Sequence, residues 1–163
     1  MKYSASKEVL VLSALAVFCC SKKNHPFGAS HKDSITLMVT KTSDYCGGID
    51  PGEETLTQLK TPSRLTNNEL YFVEIGQPLN TSILLETDEN GNASSRELKM
   101  STYQIFSKPK WLFINKHRSR LNYPTSCTEW IEVGEAQLEI VEGQAEYKIN
   151  IHSTCNPCES PSR

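Results

Sequence analysis

The chain has 163 residues, with 17 Lys and Arg against 19 Asp and Glu and a formal net charge of −2. That length suits one domain rather than several. The near balance of charge argues against general affinity for nucleic acid, which shows as a strong basic excess.

The first element is an address. Lys2 and Lys7 precede an apolar run from Val9 to Phe18, which ends at Cys19-Cys20 and turns polar at Ser21-Lys22-Lys23-Asn24. A basic start, a short apolar core and a small-residue boundary describe a secretory signal. The ten residues from Val9 to Phe18 fall well short of the roughly 20 that cross a bilayer as a helix. The segment resembles the signal of bacterial lipoproteins, with a relaxed form of their leucine-small-small-cysteine box. Cutting before Cys20 leaves the small Cys19 next to the cut, whereas cutting before Cys19 leaves bulky Phe18 there. Cys20 is therefore the expected lipidation site. An acyl chain contributes about 0.8 kcal/mol per buried CH₂, and one chain alone binds reversibly; the resemblance implies several chains and a stable anchor. Lys22 and Lys23 add weak attraction to anionic headgroups. No acidic run follows Cys20, which favours an exported outer-membrane lipoprotein facing the periplasm over surface display.

The expected organisation is a signal peptide over 1–19, a lipidated N-terminus and tether over 20–33, a β-sandwich domain over 34–158 and a flexible tail over 159–163. Removing residues 1–19 leaves 15 of the 17 basic and 18 of the 19 acidic side chains, a net charge near −3.

From Ser34 onward the pattern has period two more often than 3.6. Over Ser34 to Lys41, Ile35, Leu37 and Val39 point one way and Thr36, Met38 and Thr40 the other. A short helix is expected from Glu53 to Lys60, opened by Pro51 and by acidic residues that suit a helix N-terminus. Glu69 to Ile75 and Ser82 to Thr87 are rich in aromatic and β-branched residues. Asp88-Glu89-Asn90-Gly91-Asn92 is a tight turn, because Asn-Gly tolerates positive φ. Tyr103 to Phe106 and Trp111 to Ile114 read as two further short strands. Glu135 to Val141 and Ala145 to His152 read as a hairpin across Glu142-Gly143-Gln144, with Tyr147, Ile149 and Ile151 on one face. About seven short strands separated by turns predict an all-β, antiparallel β-sandwich.

With Cys19 discarded and Cys20 lipidated, Cys46, Cys127, Cys155 and Cys158 remain. An even number in an exported protein favours disulfides, with three possible pairings. The expectation is that Cys46 and Cys127 each take one member of the terminal pair. A four-cysteine zinc site needs reduced thiols, which an oxidising compartment disfavours. Cys155-Asn-Pro-Cys158 has the spacing of a thiol oxidoreductase, but no helix with room to lower a thiol pKa follows it. His25, His31, His117 and His152 are scattered without ligand spacing, so no metal or cofactor is expected.

Tyr45-Cys46-Gly47-Gly48-Ile49-Asp50-Pro51, the Thr87 to Asn92 turn, Leu98 and Tyr103 closing a loop, Cys127-x-x-Trp130 and the final cysteine pair occur in an order with a known counterpart. Over roughly Ile35 to Cys158 the chain resembles an uncharacterised group of bacterial lipoproteins with a prealbumin-like domain, related in fold to carboxypeptidase regulatory-like domains. The group has Leu-Pro-Pro-Gly-x-Tyr where this chain has Leu98-Lys99-Met100-Ser101-Thr102-Tyr103, so that loop needs a different turn. The resemblance implies a prealbumin-like sandwich and no catalytic residue.

No nucleophile elbow, phosphate loop or metalloprotease pair is present. Asp88, Asn90 and Asn92 imitate the start of a calcium loop, but Ala93 and Lys99 stand where glycine and glutamate are required. One stretch has binding chemistry: Ser107 to Arg120 holds Lys108, Lys110, Lys116, Arg118 and Arg120 without an acid, beside Trp111 and Phe113. Aromatics next to cations stack on sugars or bind anionic surfaces. The plainer reading is a core strand followed by a solvated basic loop. The leading functional expectation is a non-enzymatic envelope lipoprotein acting as an accessory or interaction module, tethered to the membrane and meeting an envelope protein. An anionic-glycan binding module is the alternative, and a thiol oxidoreductase the third.

Overall fold

The computed structural model describes residues 34–117 and 124–158. The signal segment, Cys20, the tether, Arg118, Arg120 and the tail lie outside the described residues, as do His25 and His31.

Two antiparallel-rich sheets pack face to face in a β-sandwich-like core, and helices cover the outside of one of them. The first sheet is built on β1 (Ile35–Ser43), whose alternation buries Ile35, Leu37 and Val39. Along one edge of β1 runs β8 (Glu146–Ser153), parallel and in register from Thr36 opposite Glu146 to Ser43 opposite Ser153. Two short strands pair antiparallel with successive stretches of β1: β5 (Asn92–Ser95) with Ile35 to Met38, and β2 (Ser63–Arg64) with Thr40 and Lys41. The second sheet has the order β4-β3-β6-β7, with β3 spanning Glu69–Glu74, β4 Ile83–Glu86, β6 Thr102–Ser107 and β7 Ala136–Glu139. Its strands are all antiparallel.

The two sheets share a core that includes Leu37, Val39, Leu70, Phe72, Ile105, Ile149 and Ile151. A second, smaller cluster lies on the other face of the second sheet, where Val73 and Phe106 meet Trp111 and Ile114. The strands β3 and β6 are therefore buried on both faces. This explains their near-continuous apolar sequence.

The helix expected after β1 forms as α1 (Glu53–Lys60), with Glu53 and Glu54 in its first turn and no buried residue. The turn at 88–92 forms as well. The Asp88 carboxylate accepts the N–H groups of Asn90 and Asn92, both at 2.8 Å, and Gly91 takes φ +74°. A Cβ at Gly91 would stand a tight 3.1 Å from the Val39 carbonyl oxygen, so both the backbone angle and the space favour glycine.

Four expectations need correction. There are eight strands rather than about seven, because β2 and β5 are short polar segments without apolar alternation. The sheets are not purely antiparallel, since β8 joins β1 in parallel. Glu135 to His152 is not a hairpin: β7 belongs to the second sheet and β8 to the first, and the chain turns a corner at Gly143 (φ +80°). The Tyr147 hydroxyl spans that corner, accepting from the Val141 N–H at 3.0 Å and donating to the Gln144 carbonyl at 3.1 Å. Finally, Trp111 to Ile114 is not a strand. It lies within α2 (Lys108–His117), and a third helix, α3, covers Thr125–Glu132. Pro109 is the physical reason for α2, since proline suits a helix's first turn and weakens a strand.

The loop that lacks the glycine of the resembled group closes in another way. The Lys99 N–H donates to the Tyr103 hydroxyl at 3.0 Å, and Leu98 and Tyr103 are both buried.

Candidate functional site

Lys108, Lys110, Trp111 and Lys116 do not form one binding strip. Lys108 is exposed and donates to Glu69 at 2.6 Å. That bond, with a second from the Tyr71 hydroxyl at 2.9 Å, holds the Glu69 carboxyl below the usual carboxylate range. Trp111 turns inward, stacked on Tyr71 with ring centroids 4.7 Å apart and planes 11° from parallel. Lys116 is exposed near the end of α2. Lys110 turns inward too, and is only 5% exposed. The helix that replaces the expected strand is the cause. Residues 110 and 111 lie on the side packed between the second sheet and α3, while 112, 115 and 116 face outward.

Lys110 fastens the two helices together. Its Nζ donates to the Val133 carbonyl at 2.6 Å, at the C-terminal cap of α3, where the helix dipole favours a cation. The same ammonium lies 4.5 Å from the centroid of the Trp130 ring and 5.9 Å from that of Phe106. Burial pushes the Lys110 amine below the ordinary lysine value, opposed by the negative charge of Glu135.

Around this lysine a groove of about 410 Å³ opens between α2, α3 and the segment after β8, lined by Lys110, Phe113, Trp130, Glu135, Thr154 and Asn156 among others. Phe113 meets Trp130 edge to face, with centroids 5.5 Å apart and planes at 81°. The Trp130 indole N–H donates to the Thr154 hydroxyl at 3.0 Å. Glu135 is held on both oxygens: Oε2 accepts the Ser107 N–H at 2.6 Å, and Oε1 accepts the Ser153 hydroxyl at 3.0 Å.

The far wall of the groove is pinned covalently. Cys155 is bonded to Cys46 just beyond β1, and Cys158 to Cys127 in α3. Cys46 and Cys127 thus each take one member of the terminal pair. The Cys-x-x-Cys cysteines are bonded to distant partners and not to each other. Nothing in the sequence reading places Trp130, Glu135 and Thr154 beside Lys110, where the structure brings them together along the groove. The spacing Cys127-x-x-Trp130-Ile131 did carry a usable signal, because i, i+3 and i+4 share one face of a helix.

Among the described residues no group of three or more His, Cys, Asp or Glu side chains is placed to hold a metal ion. His152 bonds the Thr42 hydroxyl through Nδ1 at 3.0 Å and stands 3.2 Å from Asp44. None of the helices among the described residues is long and apolar enough to cross a membrane.

Fold and site together define a disulfide-bonded β-sandwich-like domain with a helical cover and an aromatic groove at its edge. No family model matches the chain, and neither do curated proteins or solved structures.

Proposed function

We propose that this protein is a non-enzymatic envelope lipoprotein, held at the membrane by lipid on Cys20, whose β-sandwich serves as an accessory or interaction module. The observation that carries the reading is the closure of both disulfides onto the chain end. Two bridges between segments distant in sequence suit an oxidising compartment, which an exported protein reaches. Their cysteines are the four that remain once Cys19 is removed and Cys20 is acylated. The two-sheet core, with Leu98 and Tyr103 buried at the end of their loop, supports membership of the prealbumin-like, carboxypeptidase regulatory-like group that the motifs resemble. An outer-membrane position facing the periplasm follows from the signal and its non-acidic flank. Growth with an alkyne-bearing fatty acid tests the anchor: the wild-type protein takes up label and fractionates with membranes, and Cys20→Ser does neither. An unlabelled wild type whose fractionation Cys20→Ser leaves unchanged would sink the proposal.

A second reading, an anionic-glycan binding module, is supported by the groove, where two aromatic rings and a cation face short polar side chains. In its original form, with Lys108, Lys110, Trp111, Lys116, Arg118 and Arg120 as one strip, it loses the two members that turn inward.

A further inference from the structure

We infer that the groove between α2, α3 and the segment 153–158 binds a single carboxylate-bearing sugar ring, a uronic-acid unit of an anionic polysaccharide. The inference rests on the glycan reading and moves it from the exposed lysines to a built cavity.

The volume of about 410 Å³ falls in the range of small-ligand sites, roughly 300–1,000 Å³. Its aromatic wall is Phe113 against Trp130, both half-buried, and the C–H faces of a pyranose pack on such rings. Beside the rings stand short polar groups with unspent donors. Thr154 accepts from the Trp130 indole, which leaves its own O–H to donate. Asn156 spends its carbonyl oxygen on the Cys158 N–H at 2.9 Å, which leaves its two amide N–H donors.

The charge of the ligand follows from Lys110. A buried ammonium has three donors, and among the described residues this one has a single hydrogen-bond acceptor, the Val133 carbonyl. Its other contacts are ring faces. A ligand carboxylate completes the set with a charge-assisted bond. Glu135 is not hydrogen-bonded to Lys110: its oxygens accept from the Ser107 N–H and the Ser153 hydroxyl, and it acts on the ammonium through its charge alone. Its negative charge in the same groove disfavours a dianion, so a monoanionic uronate fits better than a phosphate ester. Pre-organisation completes the case. The wall residues 153–156 run from the last residue of β8 and are tied at Cys155 and Cys158, so little ordering cost falls on binding.

The experiment titrates the disulfide-intact protein with glucuronate- and galacturonate-containing disaccharides, with their neutral counterparts and with acetate. Trp130 emission is read in a Trp111→Phe background, and saturation-transfer NMR on the unsubstituted protein provides the second measurement. Saturable binding of a uronate disaccharide is expected, at least ten-fold tighter than its neutral counterpart, with no response to acetate. Lys110→Met is expected to erase the preference for the acid, Phe113→Leu to weaken acid and neutral probes alike by ten-fold or more, and Lys116→Ala to change neither. Binding lost in Lys116→Ala but kept in Lys110→Met and Phe113→Leu would overturn the groove and keep the glycan reading on the surface strip. Absence of saturable binding to any disaccharide by either measurement would overturn both.

Discussion

Lys110 shows how one residue changes meaning with its backbone. In a strand of basic and aromatic residues it reads as a surface cation; in α2 it becomes the bolt between two helices and the floor of a groove. Its burial has a consequence for stability. The folded-state value is depressed by desolvation, while the unfolded chain keeps the ordinary value of about 10.4. Below the folded value both states are protonated, and the native state bears the cost of the buried charge. Between the two values the unfolded chain binds a proton that the folded one has lost, so this contribution to stability rises with pH. Lys110→Met keeps the length of the side chain without the charge and lacks this dependence. Urea unfolding of both proteins from pH 7 to pH 10 is expected to move the stability difference in the wild type's favour. A difference independent of pH would contradict the account.

At the scale of elements, α2 and α3 form a third layer, and Trp111 packs α2 onto the second sheet. This ring packs on Tyr71 and tilts against Phe106 with centroids 5.8 Å apart. Trp111→Ala removes the centre of the smaller cluster and is expected to cost about 3–5 kcal/mol. Hydrogen exchange should show α2 and α3 losing protection while β1, β3 and β8 keep theirs; uniform loss would mean that the layers are not separable. The same elements mark the limit of what the sequence made legible. β1 and β8 were readable because each has one buried face, so that apolar residues fall at every second position. α1 was readable from Pro51 and its acidic first turn. The run Trp111 to Ile114 is apolar at every position and has no period to read, and the informative residue was Pro109. The corner at Gly143 misled for another reason. The same turn chemistry serves a hairpin and a crossing between sheets, and the choice is made by the pairing of β8 with β1, more than a hundred residues away.

For the whole molecule, the parallel pairing of β1 with β8 joins the two ends of the domain, and the disulfides seal what the strands begin. Cys46–Cys155 spans 109 residues and Cys127–Cys158 spans 31. By loop-closure entropy they contribute about 4.8 and about 3.7 kcal/mol respectively. Replacing Cys46 and Cys155 by alanine should therefore lower the unfolding midpoint more than replacing Cys127 and Cys158. The second pair should instead weaken the groove, because it holds α3 against the wall that carries Thr154 and Asn156. The reverse order of stabilities would show that the bridges act on the folded state rather than on the unfolded chain.

The central claim is a lipid-tethered module with two structural bridges, and the cysteine chemistry of the protein isolated from membranes tests it most directly. Non-reducing digestion with mass mapping is expected to yield a diacylglyceryl-modified Cys20 as the first residue, Cys46 joined to Cys155 and Cys127 joined to Cys158, with no free thiol. An unmodified Cys20, or a Cys155–Cys158 bridge beside free Cys46 and Cys127, would contradict it.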